Sequence, residues 1–227
     1  MRASLRAGLV VVGVHALVAC GGGARPTAAP AEPHPLVHRF RSPEEWAKVF
    51  DDPARDAWQK PASVVALANV TPKSVVADLG AGTGYFEPWL SRAVGDGGKV
   101  LALDVEPGMI RYLRQRIERD HLDNVEPRLV GVDDPDLGEA SVDRVLIVDT
   151  WHHVPKRVAY AGKLRHALRP GGSVIVVDFT RESSFGPPPE HRLPAEAVRD
   201  ELVAGGLHAR IVDEDLPEQY VVVARID

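Results

Sequence analysis

The chain has 227 residues, a formal net charge of −5, and 44% hydrophobic and 26% charged residues. These values are typical of a globular protein with one domain of ordinary size and a tail. No long basic tract occurs, which disfavours nucleic acid as a partner. The single cysteine, Cys20, excludes an internal disulfide framework.

The N-terminus predicts an export signal. Two arginines precede an apolar run at residues 7–19 that only His15 interrupts, which is the order of charged and apolar regions in a signal peptide. The run is shorter than the roughly 20 apolar residues of a membrane-spanning helix. It ends in Leu17-Val18-Ala19-Cys20, which resembles the lipobox of bacterial lipoproteins. The resemblance implies cleavage before Cys20 and a lipid anchor on that residue.

These features predict three parts of the chain: a lipoprotein signal at 1–19, a flexible tether at 20–38 and a folded domain at 39–227. The tether is rich in Gly, Ala and Pro and offers little apolar surface to bury. We expect a protein of the cell envelope, lipid-anchored on the periplasmic side, that contacts the membrane only through the anchor. The alternative is a cytoplasmic protein with an apolar N-terminus.

The domain begins with predicted helices. Ser42-Pro43-Glu44-Glu45 is typical of a helix start, with Ser42 as N-cap and Pro43 in the first position, and this helix should end near Phe50. A second short helix should follow Pro61. Residues 39–70 are therefore expected to form an N-terminal helical cap.

Beyond the cap, predicted strands and helices alternate. The predicted strands are 74–78, 99–104, 125–130, 142–148, 173–178, 207–212 and 219–226, and the predicted helices are 85–94, 107–120, 155–168 and 194–204. Such alternation is typical of a parallel sheet with helices on both faces. No helix separates the last two strands, which predicts an antiparallel hairpin. We therefore expect an α/β fold with a Rossmann-like, seven-stranded, mostly parallel sheet and a C-terminal hairpin.

A glycine-rich loop directly follows the first predicted strand. Its sequence is Asp78-Leu79-Gly80-Ala81-Gly82-Thr83-Gly84. Glycines at alternate positions allow a tight turn and a close approach to a ligand, and ligands bind at this edge of a parallel sheet. The spacing differs from the dinucleotide fingerprint Gly-x-Gly-x-x-Gly, because Tyr85 stands where the third glycine would be.

The pattern Asp-x-Gly-x-Gly-x-Gly resembles motif I of class I S-adenosylmethionine-dependent methyltransferases. In that family the loop lies against the methionine part of the cofactor. The resemblance implies S-adenosylmethionine as cofactor. It would be bound by six residues around this loop and by Asp149 at a later strand end; the six are Asp78, Gly80, Ala81, Gly82, Gly84 and Tyr85.

Acids at two further strand ends extend the predicted cofactor site. Asp104 ends the second predicted strand, and an acid there can accept hydrogen bonds from two ribose hydroxyls; Val105 beside it completes this part of the site. Glu106 is the alternative ribose ligand. In many family members an acid after strand three holds the adenine amino group, which points to Asp133, with Asp134 nearly as good.

Two later motifs identify a branch of the family. Asp149-Thr150-Trp151-His152-His153-Val154 follows strand four, and Leu168-Arg169-Pro170-Gly171-Gly172 precedes strand five. Both resemble the ubiquinone/menaquinone-type, small-molecule methyltransferases. Together the motifs cover roughly residues 74–178 and imply a small-molecule methyl acceptor.

The candidate catalytic residues are His152, His153 and Asp149, with Asp178 as a further possible base. A base is needed only if the acceptor must lose a proton. Because His152 and His153 are adjacent, their side chains should diverge on a helix or a strand, and we expect only one of them to point inward. No metal site is predicted, since the His-His pair and the scattered acids lack the usual ligand spacing.

Two segments could shape the acceptor site. Residues 55–60 precede the first strand, where this fold class often places a cap, and the proline loop at 186–192 could be a lid or a rigid connection. Two alternatives to an active methyltransferase stay open: an exported, non-catalytic binding module on the same fold, and a nicotinamide oxidoreductase, which the glycine spacing and the hairpin disfavour.

Overall fold

The structure is a computed structural model that describes residues 42–226. The predicted signal, the lipobox with Cys20 and the tether lie outside these residues. Within residues 42–226, no helix is both long and apolar enough to cross a membrane.

The described residues contain a seven-stranded sheet. Its strands are β1 (Val75–Leu79), β2 (Lys99–Asp104), β3 (Val125–Leu129), β4 (Val142–Val148), β5 (Leu168–Phe179), β6 (His208–Val212) and β7 (Gln219–Arg225). Their order across the sheet is β3-β2-β1-β4-β5-β7-β6. The first five strands are parallel, and β7 pairs antiparallel with both β5 and β6. The predicted fold and its C-terminal hairpin are confirmed.

Seven α-helices accompany the sheet in this part of the chain. They are α1 (Pro43–Phe50), α2 (Asp56–Gln59), α3 (Pro61–Leu67), α4 (Glu87–Val94), α5 (Pro107–Arg119), α6 (Arg157–Ala167) and α7 (Ala195–Ala204). Ser42 takes the N-cap position of α1, but its side chain makes no capping hydrogen bond. The fixed φ of Pro43 at the first position therefore favours this start without a side-chain cap.

Most boundaries lie within two residues of those predicted, and the starts of α4 and β5 are the two differences that bear on the site. α4 begins at Glu87 rather than at residue 85, because the turn of the glycine loop continues through Phe86 and Pro88 suits the first helical turn. β5 begins at Leu168 instead of residue 173, and its register against β4 shifts between Val142 and Arg144. The Pro-Gly-Gly segment is thus part of an irregular strand start.

The sheet buries both faces. Alternate side chains of β4 point to opposite sides: Val145 and Ile147 join the core under α6 and α7, whereas Leu146 and Val148 join the core under α3, α4 and α5. Because every crossover returns a parallel strand, the carboxyl ends of β1, β2, β4 and β5 lie at one edge of the sheet.

Candidate cofactor and active site

The glycine loop crosses the end of β1 with three glycines in the left-handed region. Their φ values are +79° at Gly80, +58° at Gly82 and +87° at Gly84. A Cβ on Gly80 would lie 2.3 Å from Thr150 Oγ1, and one on Gly84 would lie 2.8 Å from Leu113 Cδ2. A Cβ on Gly82 would meet no atom closer than 3.9 Å. The outer glycines are therefore required for packing, whereas a side chain on the half-buried Gly82 would make only ordinary van der Waals contacts.

Asp104 ties the loop to the end of β2. Its Oδ2 accepts the N–H of Gly82 and its Oδ1 that of Glu106, both at 2.8 Å. Burial raises the pKa of Asp104, against the lowering effect of these N–H donors. A carboxylate has about four acceptor positions, so acceptor positions remain for two hydroxyl groups. Glu106 supplies a backbone donor and stands at the N-cap of α5.

Exposed apolar side chains and an acidic turn lie beyond β2 and β3. Val105 is 43% exposed and Val132 is 62% exposed, which leaves apolar surface for a flat ligand. Asp133 is exposed. Lys163 of α6 donates to the Asp133 carbonyl oxygen at 2.7 Å and to Asp134 Oδ2 at 2.8 Å. Asp133 and Asp134 were nearly equal candidates from the sequence, but they differ in the structure, because the Asp134 carboxylate forms an ion pair with Lys163.

A second acid lies beside Asp78 in the interior. Asp78 at the end of β1 and Glu87 at the start of α4 are 3% and 0% exposed. Burial raises the pKa of Asp78 to about 7 and that of Glu87 well above its ordinary value. A Cβ on Gly84 would lie 3.3 Å from Glu87 Oε2. The sequence pattern gave no indication of Glu87, since a glutamate in the first turn of a helix is usually explained by the helix dipole.

The N-terminal helices contact the glycine loop directly. Asp51, which follows α1, accepts hydrogen bonds from Thr83 Oγ1 at 2.9 Å and from Arg116 Nη1 at 2.8 Å. The guanidinium of Arg55 lies 4.2 Å from the centroid of the Tyr85 ring. Tyr85 OH in turn donates to Asp56. The segment 43–60 therefore lies against the loop that is predicted to bind the cofactor.

Four side chains form a closed ring of hydrogen bonds between the cap and the sheet. Arg55 Nη2 donates to Gln59 Oε1 at 2.8 Å and to Asp149 Oδ2 at 3.2 Å. Gln59 Nε2 donates to Gln219 Oε1 at 2.6 Å, and Gln219 Nε2 donates to Asp149 Oδ1 at 2.5 Å. Asp149 has a left-handed φ of +52°. Burial raises its pKa to about 7, although Arg55 opposes the rise.

Asp149 is thus held by partners on both of its carboxyl oxygens. Such a carboxyl is poorly placed to take a proton from an acceptor. The ring includes Gln59 and Gln219, which sequence reasoning did not single out because they are 160 residues apart in the chain.

His152 and Asp178 form a buried pair at the ends of β4 and β5. His152 Nδ1 lies 2.9 Å from Asp178 Oδ1, and the two side chains are each 3% exposed. Burial lowers the pKa of His152, but the Asp178 carboxylate outweighs burial and raises it. An ionised carboxylate only accepts hydrogen bonds. A neutral His152 therefore carries its proton on Nδ1, which leaves Nε2 as the basic nitrogen.

His153 lies beside His152 on a 3-10 turn, Trp151–His153. The ring centroids of the two histidines are 4.1 Å apart, so the side chains pack together, and the expected divergence was wrong. A 3-10 turn differs from the helix or strand on which that expectation rested. His153 is only half-buried, and His152 is the one that contacts Asp178.

The loop after β5 is fixed by a buried arginine. Arg192 is 8% exposed, and its guanidinium donates to the carbonyl oxygens of residues 180, 181, 183, 185 and 187. Phe185 of this loop stacks on Trp58 of α2 at a centroid distance of 4.8 Å. The cap and the loop after β5 therefore meet through an aromatic contact.

Residues 42–226 contain no group of three or more His, Cys, Asp or Glu side chains that could hold a metal ion. The side chains described above lie at two neighbouring places along one sheet edge. One lies around the glycine loop and Asp104, and the other around His152, Asp178 and Asp149.

Comparison with known proteins shows what the domain resembles. Residues 76–172, which are 97 of the 227 residues, match a protein family described as a methyltransferase domain. A crystal structure of an S-adenosylmethionine-dependent methyltransferase from Aquifex aeolicus superposes with a TM-score of 0.75 and 28% identity, covering 81% of this chain and 97% of that one.

Curated relatives resemble the domain over part of their length. An arsenite methyltransferase from Halobacterium salinarum is 29% identical over 120 residues, which are 53% of this chain and 31% of the relative. A ubiquinone/menaquinone biosynthesis C-methyltransferase from Hydrogenovibrio crunogenus is 26% identical over 125 residues, which are 55% of this chain and 48% of the relative. The chain thus spans half or less of the length of these two relatives.

The residues present fit S-adenosylmethionine. The half-buried backbone at Gly82, the remaining acceptor positions of Asp104 and the exposed Val105 suit the amino-acid, ribose and adenine parts of the cofactor in turn. Asp78 lies beneath the loop, where a carboxyl can interact with a positively charged ligand. The individual roles of these residues stay predictions.

Proposed function

We propose that this protein transfers a methyl group from S-adenosylmethionine to a small molecule, with His152 as the general base. The observation that carries this proposal is the buried His152–Asp178 pair at the same sheet edge as the glycine loop. S-adenosylmethionine supplies an activated methyl group when it is bound. The protein's part is to position the acceptor, exclude water and remove a proton.

The cofactor is assigned to residues around the loop. Gly80, Ala81, Gly82, Gly84 and Tyr85 would hold its amino-acid part. Asp104 would accept the ribose hydroxyls, with Val105 packing beside the adenine. Asp133 is preferred over Asp134 for the adenine amino group, because Lys163 already pairs with the Asp134 carboxylate.

His152 is assigned the catalytic role over Asp149 and His153. Its Nε2 is the basic nitrogen of a ring whose other nitrogen is held by Asp178. The Asp149 carboxyl is bonded to Arg55 and Gln219, which suits a positioning role. An acceptor with a hydroxyl or another weakly acidic group fits a histidine base, because its proton must leave as the new bond forms.

Binding of S-adenosylmethionine tests the cofactor assignment. The Asp104→Asn variant keeps the shape of the side chain but loses the charge, so affinity should fall by roughly 10- to 100-fold, as expected for loss of about 1.5–3 kcal/mol from charge-assisted hydrogen bonds. Isothermal titration calorimetry on the wild type and the variant measures this loss. Exposed Asp96→Asn is the matched control and should bind like the wild type. Absence of binding to the wild type would contradict the assignment.

Catalysis is tested separately from binding. The wild-type protein should transfer a radiolabelled methyl group to a component of a small-molecule extract, whereas His152→Gln should bind the cofactor equally well and transfer at least about 100-fold more slowly. Binding without transfer to any component would favour the alternative function, an exported binding module on the methyltransferase fold.

We also propose that the protein is exported and lipid-anchored through Cys20, on the strength of the lipobox-like Leu17-Val18-Ala19-Cys20. The anchor would be its one contact with the membrane and would place it in the cell envelope. Labelling with a radioactive fatty acid and fractionation of cells test this location. Wild-type protein should carry label and sediment with membranes, and Cys20→Ser should do neither. An unlabelled, soluble wild type would support the cytoplasmic alternative.

A further inference from the structure

Two carboxyl groups that form no salt bridge with any described residue lie beneath the glycine loop. Asp78 and Glu87 are both buried. Neither oxygen of Glu87 has a hydrogen-bond partner among the described residues. Two ionised carboxylates only accept hydrogen bonds, so a bond can form between them only when one carries a proton. Two neighbouring carboxylates that were both ionised in the interior would also repel each other strongly.

The nearest cations direct most of their hydrogen bonds to other partners, and among the buried guanidinium nitrogens of the described residues only Arg116 Nε has no hydrogen-bond partner. Arg116, which faces Glu87, donates through Nη1 to Asp51 at 2.8 Å and to the Thr83 carbonyl oxygen at 3.1 Å. Arg55, which faces Asp78, donates to Gln59, Asp149 and the Phe50 carbonyl oxygen. Neither guanidinium forms a salt bridge with the pair in the part of the chain that the structure describes. Asp104 adds a further negative charge near Asp78.

The pair also lies directly against the ligand-facing loop. A Cβ on Gly84 would come within 3.3 Å of Glu87 Oε2, so no side chain separates the loop backbone from this carboxyl. A purely structural role is poorly supported, because a buried carboxyl without donors costs stability compared with an apolar residue. Retention of two such groups at one place is typical of a functional site.

We infer that Asp78 and Glu87 share a proton beneath the glycine loop and release it when a cationic ligand binds there. The inference rests on the proposed cofactor and adds a proton-linked recognition of its positive charge. The charge at the carboxyl pair is balanced in both states, because the proton leaves the pair for solvent as the positive charge of the ligand takes its place. Raised pKa values of both carboxyls, caused by burial, support the presence of that proton near neutral pH.

The sign of the pH dependence follows from this exchange. Protons compete with the ligand's charge, so affinity should fall as the pH is lowered, by up to about tenfold per pH unit for each proton displaced. The amino group of the ligand also titrates, at about pH 8 as for other α-amino groups, and weakens binding above that pH. A comparison between variants is therefore needed to isolate the carboxyl pair.

Calorimetry with S-adenosylmethionine as the probe measures proton release directly. Titrations in buffers of different ionisation enthalpy, between about pH 6 and pH 8, should show release of a substantial fraction of a proton from the wild type near pH 7. Glu87→Gln removes one of the two carboxyls that share the proton and offers Asp78 an amide N–H donor, which favours its ionised form, so release and the loss of affinity at low pH should both decrease. Exposed Glu118→Gln is the matched control and should behave like the wild type.

A spectroscopic measurement on the wild type keeps the inference testable if the Glu87 variant does not fold. Infrared difference spectra should show loss of a protonated-carboxyl band when S-adenosylmethionine is added. Binding without proton release and without loss of this band would overturn the inference while leaving the cofactor assignment intact. Absence of binding to the wild type would overturn both.

Discussion

The chemistry of His152 is set by one neighbour, Asp178. The carboxylate fixes the Nδ1 proton and raises the pKa of the imidazole against the lowering effect of burial. His152 and Asp178 each lie at or just after the end of a predicted strand, but the sequence alone does not show that their side chains are 2.9 Å apart. The parallel pairing of the two strands decides that contact.

Asp178→Asn should shift the pH dependence of methyl transfer. His152 must be neutral to accept a proton, so wild-type kcat/KM should rise with pH through the raised pKa of His152. Without the carboxylate, burial dominates and lowers that pKa, so the rising limb should move to lower pH while the plateau falls. The pH profile of kcat/KM measures this shift. If the variant is folded and slower but its kcat/KM rises over the same pH range as that of the wild type, His152 is not the titrating base.

At the scale of the element, the glycine loop combines two requirements: a backbone with positive φ, and the absence of a side chain where the loop packs against the rest of the fold. All three glycines have positive φ, which suits the tight turn that the alternating pattern predicted. The collision of a Gly80 side chain with Thr150, 70 residues away, is a tertiary constraint that the loop sequence does not contain.

Alanine substitutions separate these requirements. Gly80→Ala should destabilise the protein by about 1–3 kcal/mol from its positive φ and by about 1–3 kcal/mol more from overpacking against Thr150. Gly82→Ala should show only the first cost, but a larger loss of S-adenosylmethionine affinity, because its methyl group would stand on the part of the loop that is proposed to contact the cofactor. Urea unfolding and calorimetry on both variants measure the two effects. Equal stabilities would argue against the packing role of Gly80.

At the scale of the whole molecule, the ring of Arg55, Gln59, Gln219 and Asp149 joins the first described helices to the last strand. The cap packs on the glycine loop through Asp51 and on the loop after β5 through Trp58. The cap is therefore integrated with both halves of the site.

Gln219→Leu should loosen the cap. The substitution leaves Gln59 and Asp149 each short of a buried partner, at about 1–3 kcal/mol for each group left unsatisfied. Hydrogen exchange followed by mass spectrometry should show faster exchange across residues 56–67 than in the wild type. Exposed Gln115→Leu, the control, should leave that exchange unchanged. Uniformly faster exchange over the whole chain would instead indicate that the ring stabilises the fold globally.

The sequence by itself determined the order of strands and helices, the terminal hairpin and the place of the glycine loop. Local patterns carry that information, because hydrophobic period, proline and glycine act on neighbouring residues. Only the tertiary structure decided which polar groups meet: Asp78 with Glu87, His152 with Asp178, and Gln59 with Gln219 across 160 residues. Such contacts depend on strand pairing and burial, since a carboxyl acquires a raised pKa only when the fold has removed its water.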